Sequence, residues 1–134
     1  MTKPFFTWFF SIHEEPPSWF KVIIWWEIRR IPYNLIIGVV GFISLLLFFL
    51  FIHLAQELKP GEDAIEPLAL LAAPFIINLC YTAGWPVELF LRLFHHETRT
   101  MIGPILLQLG VLLSLVVVLL PSAIWFLTWI IRSV

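Results

Sequence analysis

Polar residues sit in short islands along this chain, and between the islands run stretches in which nearly every side chain is apolar. Hydrocarbon about 30 Å thick offers the backbone no hydrogen-bond partner, so a segment that crosses it must be an α-helix of about 20 apolar residues. Three stretches meet that requirement: residues 35–54 (LIIGVVGFISLLLFFLFIHL), 65–83 and 101–120. Asn34, two residues after the helix-breaking Pro32, stands where an N-cap would open the first. Gly84 and Pro86 form a pair that commonly stops a helix and so close the second. The third reaches Pro121, beyond which the chain stays apolar as far as Ile131. An unbroken helix of that full length would measure about 46 Å, more than tilt ordinarily absorbs. A kink or break at Pro121 is therefore expected, with 122–134 as an aromatic surface segment. The pattern predicts an all-α integral membrane protein with three transmembrane helices, forming one membrane domain over residues 1–134.

Two further helices are expected along the membrane surface. In the N-terminal interfacial segment, 1–33, the run PPSWFKVIIWWEIRRIP starts near Ser18 and closes at Pro32. Lys21 and Arg29 share one arc with Ser18, while Trp19, Phe20, Ile23 and Trp26 face elsewhere. That distribution suits a helix in the headgroup region, where Trp is comfortable and basic side chains reach toward water. A cleaner amphipathic pattern occupies 86–97. There Glu88, Arg92, His95 and His96 share one face, and Leu89, Phe90, Leu93 and Phe94 the other. Trp125 and Trp129, four residues apart, read as an aromatic belt at the opposite surface.

Composition strengthens the membrane reading: 60% of the 134 residues are hydrophobic and 13% charged, against roughly half and about a quarter in soluble proteins. The basic residues fix the expected orientation, because they gather on the cytoplasmic side of short loops. Lys3, Lys21, Arg29 and Arg30 precede the first span, and Arg92 and Arg99 lie between the second and third. The loop between the first two sets Lys59 against Glu57, Glu62 and Asp63. The N-terminus is thus expected in the cytoplasm and the C-terminus outside. Short loops and the lack of a transit-type leader favour a bacterial inner membrane. The aromatic run from Phe5 to Ile12 lacks a small-residue cleavage site and is expected to be retained. A net charge of −1 gives no reason to expect nucleic acid, which needs clustered basic side chains. Cys80 is the single cysteine, so no intramolecular disulfide is possible, and its expected role is a small buried side chain.

Candidate chemistry is sparse. If the second helix runs on past Pro86, Asn78, Tyr81, Trp85, Glu88 and Arg92 follow one another at steps of three or four and form a polar stripe. Such groups avoid lipid and seek protein or a water-filled cavity. The topology puts Arg29, Arg30, Tyr33 and Asn34 at the same depth, and the expected pairing is Glu88 with Arg29 or Arg30, a cytoplasmic collar. Rows of small residues, Gly38, Gly41 and Ser44 in the first span and Gly103, Gly110 and Ser114 in the third, allow close helix approach. His53 lies at the opposite end from His95 and His96, so they cannot share one haem. Adjacent His95 and His96 beside Glu97 lack the spacing of three or four that a helical zinc pair needs. Ser44 and Ser114 have no base within a helical turn. No catalytic residue, metal or cofactor is expected.

The expected role is a small non-enzymatic membrane protein acting as an assembly, anchoring or partner subunit through helix packing, as a homo-oligomer or with another membrane protein. The alternative is a homo-oligomeric channel or membrane-perturbing effector, for which Gln108, Ser114, Asn78 and Tyr81 are the available polar lining. A transporter built on internal repeats is disfavoured, because no repeat is visible.

Overall fold

The structure is a computed structural model that describes residues 4–12, 18–55, 67–94 and 101–133, with backbone alone for 67–71. The described residues form α1 (Phe5–Phe9), α2 (Trp19–Ala55), α3 (Pro67–Thr82), α4 (Gly84–Phe94) and α5 (Ile102–Ser133), and no strand. Two of these, α2 and α5, are long and apolar enough to cross a membrane. Only 22% of the apolar stretch in each is buried within the chain. Most of the large side chains exposed on them are apolar.

Two expected breaks are absent. Pro32 lies inside α2, so the segment expected along the headgroup plane continues the first span instead of closing before it. Asn34 is accordingly a mid-helix residue and not an N-cap. Arg29 and Tyr33, on either side of the proline, are both buried. Pro121 lies inside α5, so 122–134 is not a separate surface piece as far as Ser133. The N–H that Pro121 lacks would have bonded the carbonyl of Val117. Hydroxyls bind the next two carbonyls along: Ser44 Oγ donates to that of Val118 at 2.7 Å and Ser122 Oγ to that of Leu119 at 2.9 Å.

The helix-stopping signal at Gly84 and Pro86 is weaker than expected, because α3 and α4 are separated by Ala83 alone. Pro86 falls in the first turn of α4, where a missing N–H costs nothing. Residues 65–66 and 95–97 of the expected helices, and the loop 56–64, lie outside the described residues. Cys80 is exposed, contrary to expectation, because it lies to one side of the face of α3 that carries Ile77 and Tyr81.

The main contact is between α2 and α5, and its order is informative. Tyr33 meets Ser114, Ser44 meets Ser122, Phe48 meets Trp125, and the Ala55 carbonyl meets Arg132. The two long helices therefore run parallel. On α2 the buried positions 22, 25, 26, 29, 33, 37, 44, 48, 52 and 55 trace a single stripe at helical spacing. Gly41 lies in the same stripe, where a Cβ would come 3.3 Å from Val118 Cγ1. The other direction belongs to α3: Asn78 is beside Asn34, Thr82 beside Arg30, and Tyr81 beside Trp26. It descends antiparallel to α2 and hands over to α4, which crosses the lower ends of α2 and α5.

The buried core sits at one end of the molecule. Phe9, Val22, Trp25, Trp26, Tyr33, Ile37, Tyr81 and Leu107 form a continuous cluster around the N-terminal halves of α2 and α5.

Candidate functional site

The candidate site is a polar collar at that core end, and it forms two separate nests. The first is built on Arg29, which is 4% exposed. Its Nε donates to the Phe9 carbonyl at 2.8 Å, Nη2 to the Trp8 carbonyl at 2.9 Å and to Ser11 Oγ at 2.8 Å, and Nη1 to the Trp25 carbonyl at 3.2 Å. The guanidinium also lies 3.9 Å from the Trp25 ring centre and 4.9 Å from that of Trp8. A short helix exposes its last carbonyls, and a guanidinium is well shaped to cap them. Arg29 thus fastens α1 to α2, with aromatic faces in place of a carboxylate.

The second nest is built on Glu88, which is fully buried. Trp26 Nε1 donates to its Oε2 at 2.5 Å, and Arg92 donates to Oε1 through Nε at 2.9 Å and also through Nη2. One turn of α4 separates Glu88 from Arg92, the spacing at which a glutamate pairs best with a following cation. The expected bond from Glu88 to Arg29 or Arg30 is not formed. Each of those arginines is already engaged, and the neighbour four residues on costs no change of backbone. Two glycines make room for this nest. A Cβ on Gly103 would lie 2.6 Å from Glu88 Oε2, and one on Gly84 would lie 2.5 Å from the Trp26 ring. Gly103 therefore serves Glu88 of α4 and not a row against α2.

Between the nests runs a ladder of cross-helix contacts. Tyr81 OH donates to the Trp26 carbonyl at 2.6 Å, and its ring lies 4.4 Å from that of Tyr33. Arg30 donates through Nη2 to Glu27 at 2.8 Å and to Thr82 Oγ1 at 2.9 Å, and passes over the Tyr81 ring. Tyr33 OH and Ser114 Oγ are 2.7 Å apart, and Asn34 Nδ2 donates to Asn78 Oδ1 at 3.0 Å. Trp85 packs, half-buried, against the same core. The structure thus brings Arg30, Tyr33, Asn34, Asn78 and Tyr81 together across helices. It holds Glu88 and Arg92 together with Trp26, and it sends Arg29 to α1.

Of the small residues, Gly41 and Ser44 face α5, and Ser44 meets Ser122 at 2.9 Å. A Cβ on Gly38 or Gly110 would meet nothing within 4 Å, so neither touches a neighbouring helix. Sequence reasoning missed Trp26, Ser11, Thr82, Gly84 and the carbonyls of Trp8 and Phe9. The signal for Trp26 was available, since an indole N–H buried at such a depth needs an acceptor.

Above the collar, α3 stands away from the α2–α5 pair and leaves a cleft of about 680 Å³. Gly38, Gly41 and Phe42 of α2, Ala73 and Ile77 of α3 and Val118 of α5 are among its walls. The polar side chains in its lining are Asn34, Asn78 and Ser44, each hydrogen-bonded to protein. Among the described residues no three His, Cys, Asp or Glu side chains converge. His53 is exposed near the far end of α2, and His95, His96 and Glu97 lie outside the described residues. Comparison with family models, with characterised proteins and with solved structures finds no match to this chain.

Proposed function

We propose that this chain is a three-span membrane protein, N-terminus in the cytoplasm, that acts without catalysis as an assembly, anchoring or partner subunit. The parallel course of α2 and α5 supports the span count, because two parallel crossings need a return between them, and α3 with α4 runs the opposite way. Lys21, Arg29, Arg30 and Arg92 gather at one end and Arg132 at the other, a bias that favours the collar on the cytoplasmic side. Short connections and this bias fit a bacterial inner membrane.

The observation that carries the non-channel reading is the pairing of polar side chains at span depth. Asn34 bonds Asn78, Tyr33 lies within hydrogen-bond distance of Ser114 and Ser44 of Ser122, so these groups are spent on protein partners and leave little polar lining for the aqueous path that a pore requires. An outward-facing amide on α5 supports association with a second copy. Gln108 is exposed and makes no hydrogen bond among the described residues. An amide on a lipid-facing helix gains a partner when it bonds across to another helix. Native mass spectrometry of the detergent-solubilised protein tests this: dimers or larger species are expected, and Gln108→Leu shifts them toward monomer. Ion flux through liposomes holding the purified protein would overturn the assembly reading in favour of a channel.

A further inference from the structure

We infer that the cleft between α2, α3 and α5 is a binding site for one acyl chain of an anionic phospholipid, whose phosphate is held at Arg30. The inference rests on α2 and α5 spanning a bilayer. The cross-section of the cleft selects the occupant. From Asn34 to Phe48 the lining covers about 21 Å of helix, so 680 Å³ gives a mean section on the order of 30 Å². A helix 10–12 Å across needs on the order of 80–110 Å² and does not fit. A single hydrocarbon chain, whose carbons touch neighbours at about 4 Å, needs on the order of 20 Å² and does.

The chemistry of the walls agrees. The volume lies in the range of about 300–1,000 Å³ typical of sites that enclose a small ligand. No charged side chain enters the lining, and its few polar groups already have protein partners, so water or an ion gains nothing there. Gly38 forms open wall, since a Cβ there would meet nothing within 4 Å.

The lower end supplies the complementary charge. The Asn34–Asn78 bridge closes the foot, and one turn below it Arg30 sits at the depth of the headgroups, its side chain 30% exposed. Arg30 commits both Nη2 protons to Glu27 and Thr82; among the described residues Nη1 has no hydrogen-bond partner. The Nη1 protons of a guanidinium make charge-assisted hydrogen bonds to a phosphate oxygen. A tail lying upward in the cleft puts its phosphate beside Nη1.

Native mass spectrometry of delipidated full-length protein, titrated with palmitoyl-oleoyl phosphatidylglycerol or the matching phosphatidylcholine, tests the site. One tightly held phosphatidylglycerol per chain is expected. Gly38→Leu fills the cleft from α2 and Ala73→Phe from α3; each weakens that binding at least tenfold. Arg30→Gln removes the preference for phosphatidylglycerol and leaves phosphatidylcholine binding in place. Gly110→Leu, at an equally open glycine outside the cleft, leaves lipid binding unchanged. Wild-type lipid affinity in both cleft variants overturns the proposal; if those same two variants also lose oligomers, the cleft belongs to a second copy. Extraction of the chain from membranes by alkaline carbonate would overturn the spanning reading itself, an outcome separate from failure of the cleft alone.

Discussion

Glu88 concentrates the most electrostatic risk of any side chain described. Its carboxylate is withdrawn from solvent and answered by Arg92 and the Trp26 indole, and breaking such a pair from one side costs about 3–5 kcal/mol. Glu88→Gln is expected to destabilise the protein in detergent by an amount of that order, read as a lowered thermal midpoint. Arg92→Gln is expected to do the same, and the double variant is expected to lose less than the sum. Additive losses in a double-mutant cycle would show that the two do not act as a pair. Gly103→Ala pushes a methyl into the same carboxylate and is expected to cost about 1–3 kcal/mol. Gly38→Ala, with open space around its Cβ, is expected to leave the melting curve unchanged. At this scale the sequence picks out which residues want partners more readily than which partners they take. Asn34, Asn78, Tyr33 and Tyr81 do meet, since polar groups at one depth have few alternatives. The engagement of Glu88 depends on details of reach: Arg92 is four residues away on the same helix, whereas Arg29 is spent on carbonyls of α1 that composition does not advertise.

The long helices teach a different lesson. The existence of apolar helices over 35–54 and 101–120 is written in the hydrophobic runs, but where they end is not. Prolines at 32 and 121 look like punctuation, yet both lie inside continuous helices, and the Ser44 hydroxyl that binds a carbonyl close to Pro121 reaches it across a tertiary contact. The faces that pack are equally hard to read, because helices apolar all round carry no amphipathic contrast. Gly41 and Ser44 mark the buried stripe of α2; Gly38 and Gly110, of similar appearance, do not touch a partner. Ser44→Ala removes two contacts to α5 and is expected to cost roughly 0.6–1.7 kcal/mol, the range for interhelical hydrogen bonds in membranes. Pro121→Ala restores a backbone donor to a helix that is already continuous, and circular dichroism is expected to show undiminished helicity. A loss of helical signal in that variant would indicate that the proline sets the geometry of α5.

For the whole molecule, direction matters more than length. The proposed topology puts Ser18 and Ser133 on opposite faces of the membrane. In a Cys80→Ser background, Ser133→Cys is expected to react with an impermeant maleimide added to intact cells, and Ser18→Cys only after permeabilisation. Equal labelling of both would remove the odd number of crossings. Charge bias along the sequence anticipates this arrangement, but the parallel pairing of α2 with α5 becomes visible only from contacts between residues far apart in the chain.

That pairing also sets a timetable. Tyr33 and the Ser114 that answers it are separated by 81 residues, so at synthesis rates of about 5–20 residues per second the first waits roughly 4–16 s for the second. Throughout that interval α2 is already made while its hydroxyls lack their final acceptors. A ribosome stalled before Leu107 would release a chain that is greasy, threaded and unfinished, and the cell's quality-control proteases would meet it with the seam of α2 still open.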